Sequence, residues 1–233
     1  MIPKKIHYCW FGHGTFDDLQ IKCIESWKKH CPDYKIVEWN ENNINLDECL
    51  YAKQAYENKK YAFVTDYARL YILYKYGGIY VDTDVEILKN LDCFLNEKGF
   101  SGFESSGEVP TGIMASEAGL PIIGELLGKY KNRSFIVDGK MDLTTNVKEI
   151  TSTFKNKGLK ADNSKQTIEG FTMYPNEYFC PKDWITESIN LTDNSYTIHH
   201  FNGSWMSGTL RFKLYVAKLL SPVLEKLKSR KER

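Results

Sequence analysis

Gly77-Gly78-Ile79-Tyr80-Val81-Asp82-Thr83-Asp84 is the stretch from which the fold of this chain is read. The β-branched and aromatic run Ile79-Tyr80-Val81 predicts a buried strand, and the two glycines before it predict the end of a helix. Residues i and i+2 of an extended chain face the same side, so Asp82 and Asp84 are expected to converge on one ion. Paired hard oxygen ligands suit Mg²⁺ or Mn²⁺, with phosphate oxygens and water filling the remaining positions. An isolated Asp-x-Asp is more often a solvated turn. At the end of a buried strand, however, an unpaired charge is costly, and the balance moves to a site.

Upstream, residues 61–76 read as a helix in which Phe63, Tyr67, Leu70, Tyr71 and Tyr74 follow a three-to-four spacing. Asp66 and Arg69 stand at i and i+3 and so share a face of it. Residues 5–10 and 34–39 read as strands flanking a helix over 16–29, which His30-Cys31-Pro32-Asp33 stops. This β-α-β order predicts a parallel sheet in an α/β fold. Residues 46–59 carry further helical signal. Downstream, 99–104 reads as a strand, the small residues of 107–119 as a loop over a site, and a helix is expected beyond Leu120.

The 233 residues predict a single domain with a sizeable core, and a net charge of +1 argues against a general polyanion or nucleic-acid binder. The 15 Tyr and 12 Phe suit either a Tyr-rich core or the stacking of sugars and bases. Six cysteines form no C-x-x-C pair, the N-terminal residues lack the apolar core of a signal peptide, and no run reaches the roughly 18 apolar residues of a membrane span. A cytoplasmic protein with free thiols is the expectation. Residues 210–233 stand apart, with eight Lys/Arg against Glu225 and Glu232 and an apolar stripe through Phe212, Val216, Leu219, Leu220, Val223 and Leu227. Such a basic amphipathic tail either docks on the domain or lies on an anionic membrane surface.

The segment Ile198-His199-His200-Phe201-Asn202-Gly203-Ser204-Trp205 holds the remaining polar constellation. Adjacent histidines on a strand point apart, so one of the two is expected to serve a metal at Asp82 and Asp84. Ser204 and the Trp205 indole can donate to phosphate oxygens. Taken alone, the segment also fits an exposed histidine pair beside a core tryptophan. The chain has no GxxxxGK[ST], GxGxxG or GxSxG motif, so phosphate binding falls to the cation.

Four segments together resemble the family 32 glycosyltransferases, DXD-containing sugar transferases of the kind found in capsular polysaccharide synthesis. They are residues 3–12 (PKKIHYCWFG), 61–70 (YAFVTDYARL), 77–86 (GGIYVDTDVE) and 199–205. More distantly they resemble clostridial toxin glucosyltransferase domains and yeast initiating mannosyltransferases. The resemblance implies a GT-A fold over 1–209, a Rossmann-like nucleotide-sugar-binding sheet flanked by helices, with 210–233 outside it. It implies a nucleotide-sugar donor, UDP-hexose favoured, Mn²⁺ or Mg²⁺, and retention of anomeric configuration. It places the donor against Tyr8, Trp10, Thr65, Asp66, Arg69, Tyr80, Asp82, Asn146, Ser204 and Trp205. Trp10 would stack on the base, Asp66 and Arg69 would hold sugar hydroxyls, and Arg69 would also reach phosphate. Catalysis would rest on Asp66, Arg69, Asp82 and Asp84, and the metal on Asp82, Asp84 and His200 or His199. The implied acceptor is a glycan or a polyprenyl-diphosphate-linked oligosaccharide, reached at the inner membrane face through the basic tail. Two other readings stay open: a haloacid-dehalogenase-like phosphatase, whose motif Val81 to Val85 partly matches, and a catalytically silent nucleotide-sugar-binding module.

Overall fold

The computed structural model describes residues 1–104 and 107–203. Strand β1 (Lys5–Cys9) leads to helix α1 (Asp18–His30), whose start is set by Asp17. The Asp17 carboxylate accepts from the Gln20 backbone N–H while the Gln20 side chain accepts from that of Asp17, a capping box that begins the helix two residues later than the apolar pattern suggests. Strand β2 (Lys35–Trp39) follows, then a short 3₁₀ turn, Leu46–Glu48, and α2 (Leu50–Glu57).

Helix α3 (Tyr61–Tyr76) ends where expected, because Gly77 (φ 61°) and Gly78 (φ 110°) take backbone conformations closed to most residues. A Cβ on Gly78 would sit 2.8 Å from Nε2 of His7, which is hydrogen-bonded to the Gly77 carbonyl at 2.9 Å. The chain enters β3 (Gly78–Val81) and turns through the aspartates into β4 (Val85–Ile87). Then come β5 (Gly99–Gly102), β6 (Ile113–Ser116), α4 (Pro121–Gly128), the hairpin β7 (Ile136–Val137) and β8 (Lys140–Met141), and α5 (Asn146–Asn156). The described chain closes with β9 (Gln166–Ile168), β10 (Phe171–Tyr174), α6 (Asn176–Phe179) and β11 (Thr197–His199).

Seven strands form one sheet in the order β2-β1-β3-β6-β5-β10-β9. It is α/β as expected but mixed in direction: β1 runs parallel to β2 and β3, and β10 to β5, whereas β6 lies antiparallel between β3 and β5. The stretch 107–119 is therefore not loop throughout. Its residues Ile113-Met114-Ala115-Ser116 are a fully buried central strand, which its shortness and its burial on both faces disguise. Apolar side chains pack on both faces of the sheet. Ile79 and Val81 join the core around Trp27 of α1, and Tyr80 joins the core under α2, α3, α4 and α5. Since β2 and β3 lie on either side of β1, the chain reverses its winding there. The crevice beyond the carboxyl ends of β1 and β3 is the place where open α/β sheets bind ligands.

Candidate active site

Helix α3 brings Asp66 and Arg69 to that crevice one turn apart, and β3 brings Asp82. The Arg69 guanidinium lies 3.2 Å from Oδ1 of Asp82 and 3.5 Å from Oδ1 of Asp66. It also donates to the Thr111 carbonyl at 2.6 Å and, more weakly, to that of Thr65 at 3.4 Å. Tyr80 lies beneath it, 4.9 Å from ring centroid to guanidinium carbon, and its hydroxyl donates to Oδ1 of Asp82 at 2.8 Å. Arg69 is buried and each of its guanidinium nitrogens meets an acceptor, so it holds two carboxylates in place. Burial pushes Asp66 up to about 7, with the Arg69 charge opposing and Asp82 reinforcing the shift. Burial likewise raises Asp82, against the pull of Arg69.

The second half of the site depends on β11 returning to β4. The pair is antiparallel, with His199 opposite Val85 and Ile198 opposite Glu86, and the His200 N–H donates to the Asp84 carbonyl at 3.0 Å. The alternation decides between the histidines. Nε2 of His199 lies 3.4 Å from Oδ1 of Asp84, whereas Nε2 of His200 meets Glu86 at 2.9 Å. Glu86 is held from the other side by Lys22 of α1 at 2.8 Å. Of the two histidines it is therefore His199 that stands beside Asp84, while the His200 ring pairs with Glu86.

Asp82, Asp84 and His199 offer ligand atoms all within 4.8 Å of one another. Two carboxylates and an imidazole suit a divalent cation that keeps water or phosphate in its remaining positions. The carboxylates converge by a route other than the one the strand pattern predicts. Strand β3 ends at Val81, and Asp82-Thr83-Asp84 is a turn closed by the Val85 N–H on the Asp82 carbonyl at 3.0 Å. Burial alone would raise Asp84, but the His199 charge and the hydrogen bonds it accepts bring it down to about 2. One of those bonds comes from the Asn202 N–H at 2.8 Å, and the Asn202 side chain donates to Asp17 at 2.9 Å. Burial lowers His199, yet Asp84 outweighs it and holds the imidazole well above its ordinary range. Asp84 and His199 are thereby drawn into a mutual pair, and a cation at the cluster would compete with the imidazole proton.

The remaining expected residues divide by exposure. Trp10 is half-buried at the end of β1, packed on Phe16 at 4.5 Å between centroids, with its indole N–H on the Gly14 carbonyl at 2.7 Å. Tyr8 and Tyr80 are buried supports: the Tyr8 hydroxyl donates to Glu38 at 2.7 Å, as that of Tyr80 does to Asp82. Thr65 offers its carbonyl to Arg69. Asn146 opens α5 with its backbone N–H bonded to the Asp66 carboxylate; its side chain is buried and its Nδ2 has no partner among the described residues. Ser204, Trp205 and the tail 210–233 lie outside the described residues.

Three contributors were not singled out by the sequence, although 107–119 reads there as a loop over a site. Thr111 and Gly112 hold Arg69 and Asp82 by consecutive carbonyls, the second accepting the Asp82 N–H at 2.7 Å. Glu104, just past β5, is a half-buried carboxylate that burial pushes up to about 7, with His199 as its opposing charge. Only the three-dimensional meeting of distant loops reveals these groups.

Residues 17–101 match the family described as "Glycosyltransferase sugar-binding region containing DXD motif". The chain is 30% identical over 142 residues to inositol phosphoceramide mannosyltransferase 3 of Schizosaccharomyces pombe, across 58% of this chain and 38% of that protein. It is 35% identical over 101 residues to an uncharacterised glycosyltransferase of Acanthamoeba polyphaga mimivirus, across 41% of this chain and 40% of that protein. The aligned parts thus span well under half the length of these relatives. Among solved structures, the glycosyltransferase GlyE of Streptococcus pneumoniae superposes over 99% of this chain and 64% of its own, with a TM-score of 0.50 at 11% identity. At that identity the likeness is one of fold, and the fold is the GT-A type.

Proposed function

We propose, from a chain whose residues 17–101 are a DXD-containing glycosyltransferase sugar-binding region, that it moves a hexose from a nucleotide-sugar to a glycan or polyprenyl-diphosphate-linked acceptor with retention of configuration. The observation that carries this reading is the Asp82, Asp84 and His199 cluster set beside the buried Asp66–Arg69–Asp82 network. The implied Mn²⁺ or Mg²⁺ would be held by these three residues and would neutralise charge on the departing nucleoside diphosphate. Mn²⁺ is the better match, because an imidazole nitrogen is a poor ligand for the harder, oxygen-seeking Mg²⁺.

The chain's own groups do the rest. Asp84 stays ionised at any working pH, and Asp82 is aimed by Tyr80 and Arg69. Asp66 is the acceptor and the Asn146 side-chain amide the donor that would grip sugar hydroxyls, the Nδ2 of Asn146 having no other partner among the described residues. The half-buried Trp10 supplies the stacking face for the base, and Ser204 and Trp205 are assigned to the diphosphate. The acceptor hydroxyl attacks the face that the diphosphate leaves and passes its proton to the leaving phosphate oxygen. UDP is the nucleotide in this reading, and capsular or other surface polysaccharide the product. The basic 210–233 segment holds a cytoplasmic enzyme at the inner face of the membrane; among the described residues no helix is long and apolar enough to cross it.

A thermal-shift and hydrolysis panel of UDP-Glc, UDP-Gal, UDP-GlcNAc, UDP-GalNAc and GDP-Man, with and without Mn²⁺, tests this. One UDP-sugar is expected to stabilise the protein and to be slowly hydrolysed only with metal, and the product anomer read by NMR is expected to match the donor. A response to GDP-Man alone would replace the nucleotide. No metal-dependent response to any donor would count against the transferase.

A further inference from the structure

The His199 ring is positioned by packing. Among the described residues its Nδ1 is buried with no nitrogen or oxygen partner, while the ring interacts with the soft Cys180 thiol and with the charge of Glu104. Metal-binding histidines usually donate that second ring N–H to a carboxylate or carbonyl, which fixes the ring's orientation. Here two contacts take over that task. The Phe201 ring lies 4.1 Å from the imidazole, centroid to centroid, at an interplanar angle of 30°. The backbone of Gly112 fills the second position: a Cβ there would stand 2.7 Å from Nδ1, 2.9 Å from Cε1 and 3.2 Å from Cγ.

These separations fall well inside the roughly 3.5–4.0 Å at which heavy atoms pack. Any side chain at 112 would therefore shift the ring by several tenths of an ångström or more. Ligand sets of this kind tolerate about 0.5 Å. Gly112 is not among the residues with positive φ, so its backbone does not require glycine and the demand is for space alone. Its carbonyl meanwhile accepts the Asp82 N–H at 2.7 Å, so one residue touches both the acidic and the imidazole ligands.

We propose that Gly112 is a positioning residue for the cation site. The missing side chain creates the slot that directs Nε2 of His199 toward Asp84 and Asp82, and residue 112 thereby decides whether a histidine can complete the ligand set. This rests on the reading that the cluster binds a divalent cation.

Mn²⁺ titration of the full chain, followed by electron paramagnetic resonance, tests both levels separately. The wild type is compared with Gly112→Ala, His199→Ala and the double variant, each checked for a cooperative melt. His199→Ala is expected to weaken Mn²⁺ binding, Gly112→Ala to weaken it by about tenfold or more, and the double variant to bind no more weakly than His199→Ala. That non-additivity is what action through the ring requires. Wild-type affinity in Gly112→Ala, or a double variant weakened by the full product of the two effects, would overturn the proposal. If Gly112→Ala alone does not fold, the double variant, which lacks the clashing ring, is expected to fold, and its failure to do so would also overturn the proposal. A wild type that binds no Mn²⁺, or an affinity unchanged by His199→Ala, would instead remove the metal reading on which the proposal stands.

Discussion

Asp66, Arg69 and Asp82 come from one continuous run of helix, strand and turn, with Asp66 and Arg69 buried and each guanidinium nitrogen of Arg69 meeting an acceptor. Asp84 and Glu86 meet their histidines only because β11 returns to β4, His200 lying 114 residues beyond Glu86. The first region is a rigid electrostatic frame whose contacts are local in sequence. The second is assembled at long range, and there Asp84 holds the His199 imidazole above its ordinary pKa where a cation would bind. The contrast divides the labour between them: the frame fixes one carboxylate, and the returning strand supplies the ligand that responds to its surroundings.

Breaking the frame is expected to have the largest effect. Arg69→Ala leaves Asp66 and Asp82 buried without their cation, which costs about 3–5 kcal/mol of folding stability. Urea unfolding measures it, and a loss under about 1 kcal/mol would mean the frame is less rigid than its contacts indicate. The returning strand is expected to show itself through pH. His199 is held above its ordinary value by Asp84, so below that raised pKa each bound cation must expel one proton. Mn²⁺ affinity should then rise by about tenfold per pH unit from pH 6 upward, and His199→Ala should flatten the slope. A pH-independent wild type would contradict the assignment. His200 provides the smallest effect: its pairing with Glu86 is partly exposed, and His200→Ala is expected to cost about 1 kcal/mol or less while leaving Mn²⁺ affinity unchanged. Loss of Mn²⁺ binding in that variant would reverse the choice between the histidines.

The same contrast explains how far the sequence could be read. Helix α3, its Gly77-Gly78 stop and the pairing of Asp66 with Arg69 follow from spacing and backbone freedom, which are local properties. The strands β1 and β2 around α1 were legible for the same reason. The central strand β6 was hidden because Ile113-Met114-Ala115-Ser116 is short and buried on both faces, so no alternation marks it. The turn at Asp82-Thr83-Asp84 reads as strand in the sequence because the apolar run before it carries no sign of where pairing ends. His199 and His200 could not be separated, since the choice depends on register with a strand far away in the chain. Gly112 and Thr111 act through space and through carbonyls, which side-chain chemistry does not report.

The most direct test of this account is the stoichiometry of Mn²⁺ binding at pH 8, measured by electron paramagnetic resonance on the wild type and on Asp84→Asn. The account predicts one ion per chain in the wild type and none at the same concentrations in the variant. Undiminished binding by Asp84→Asn, or no binding by the wild type, would contradict it.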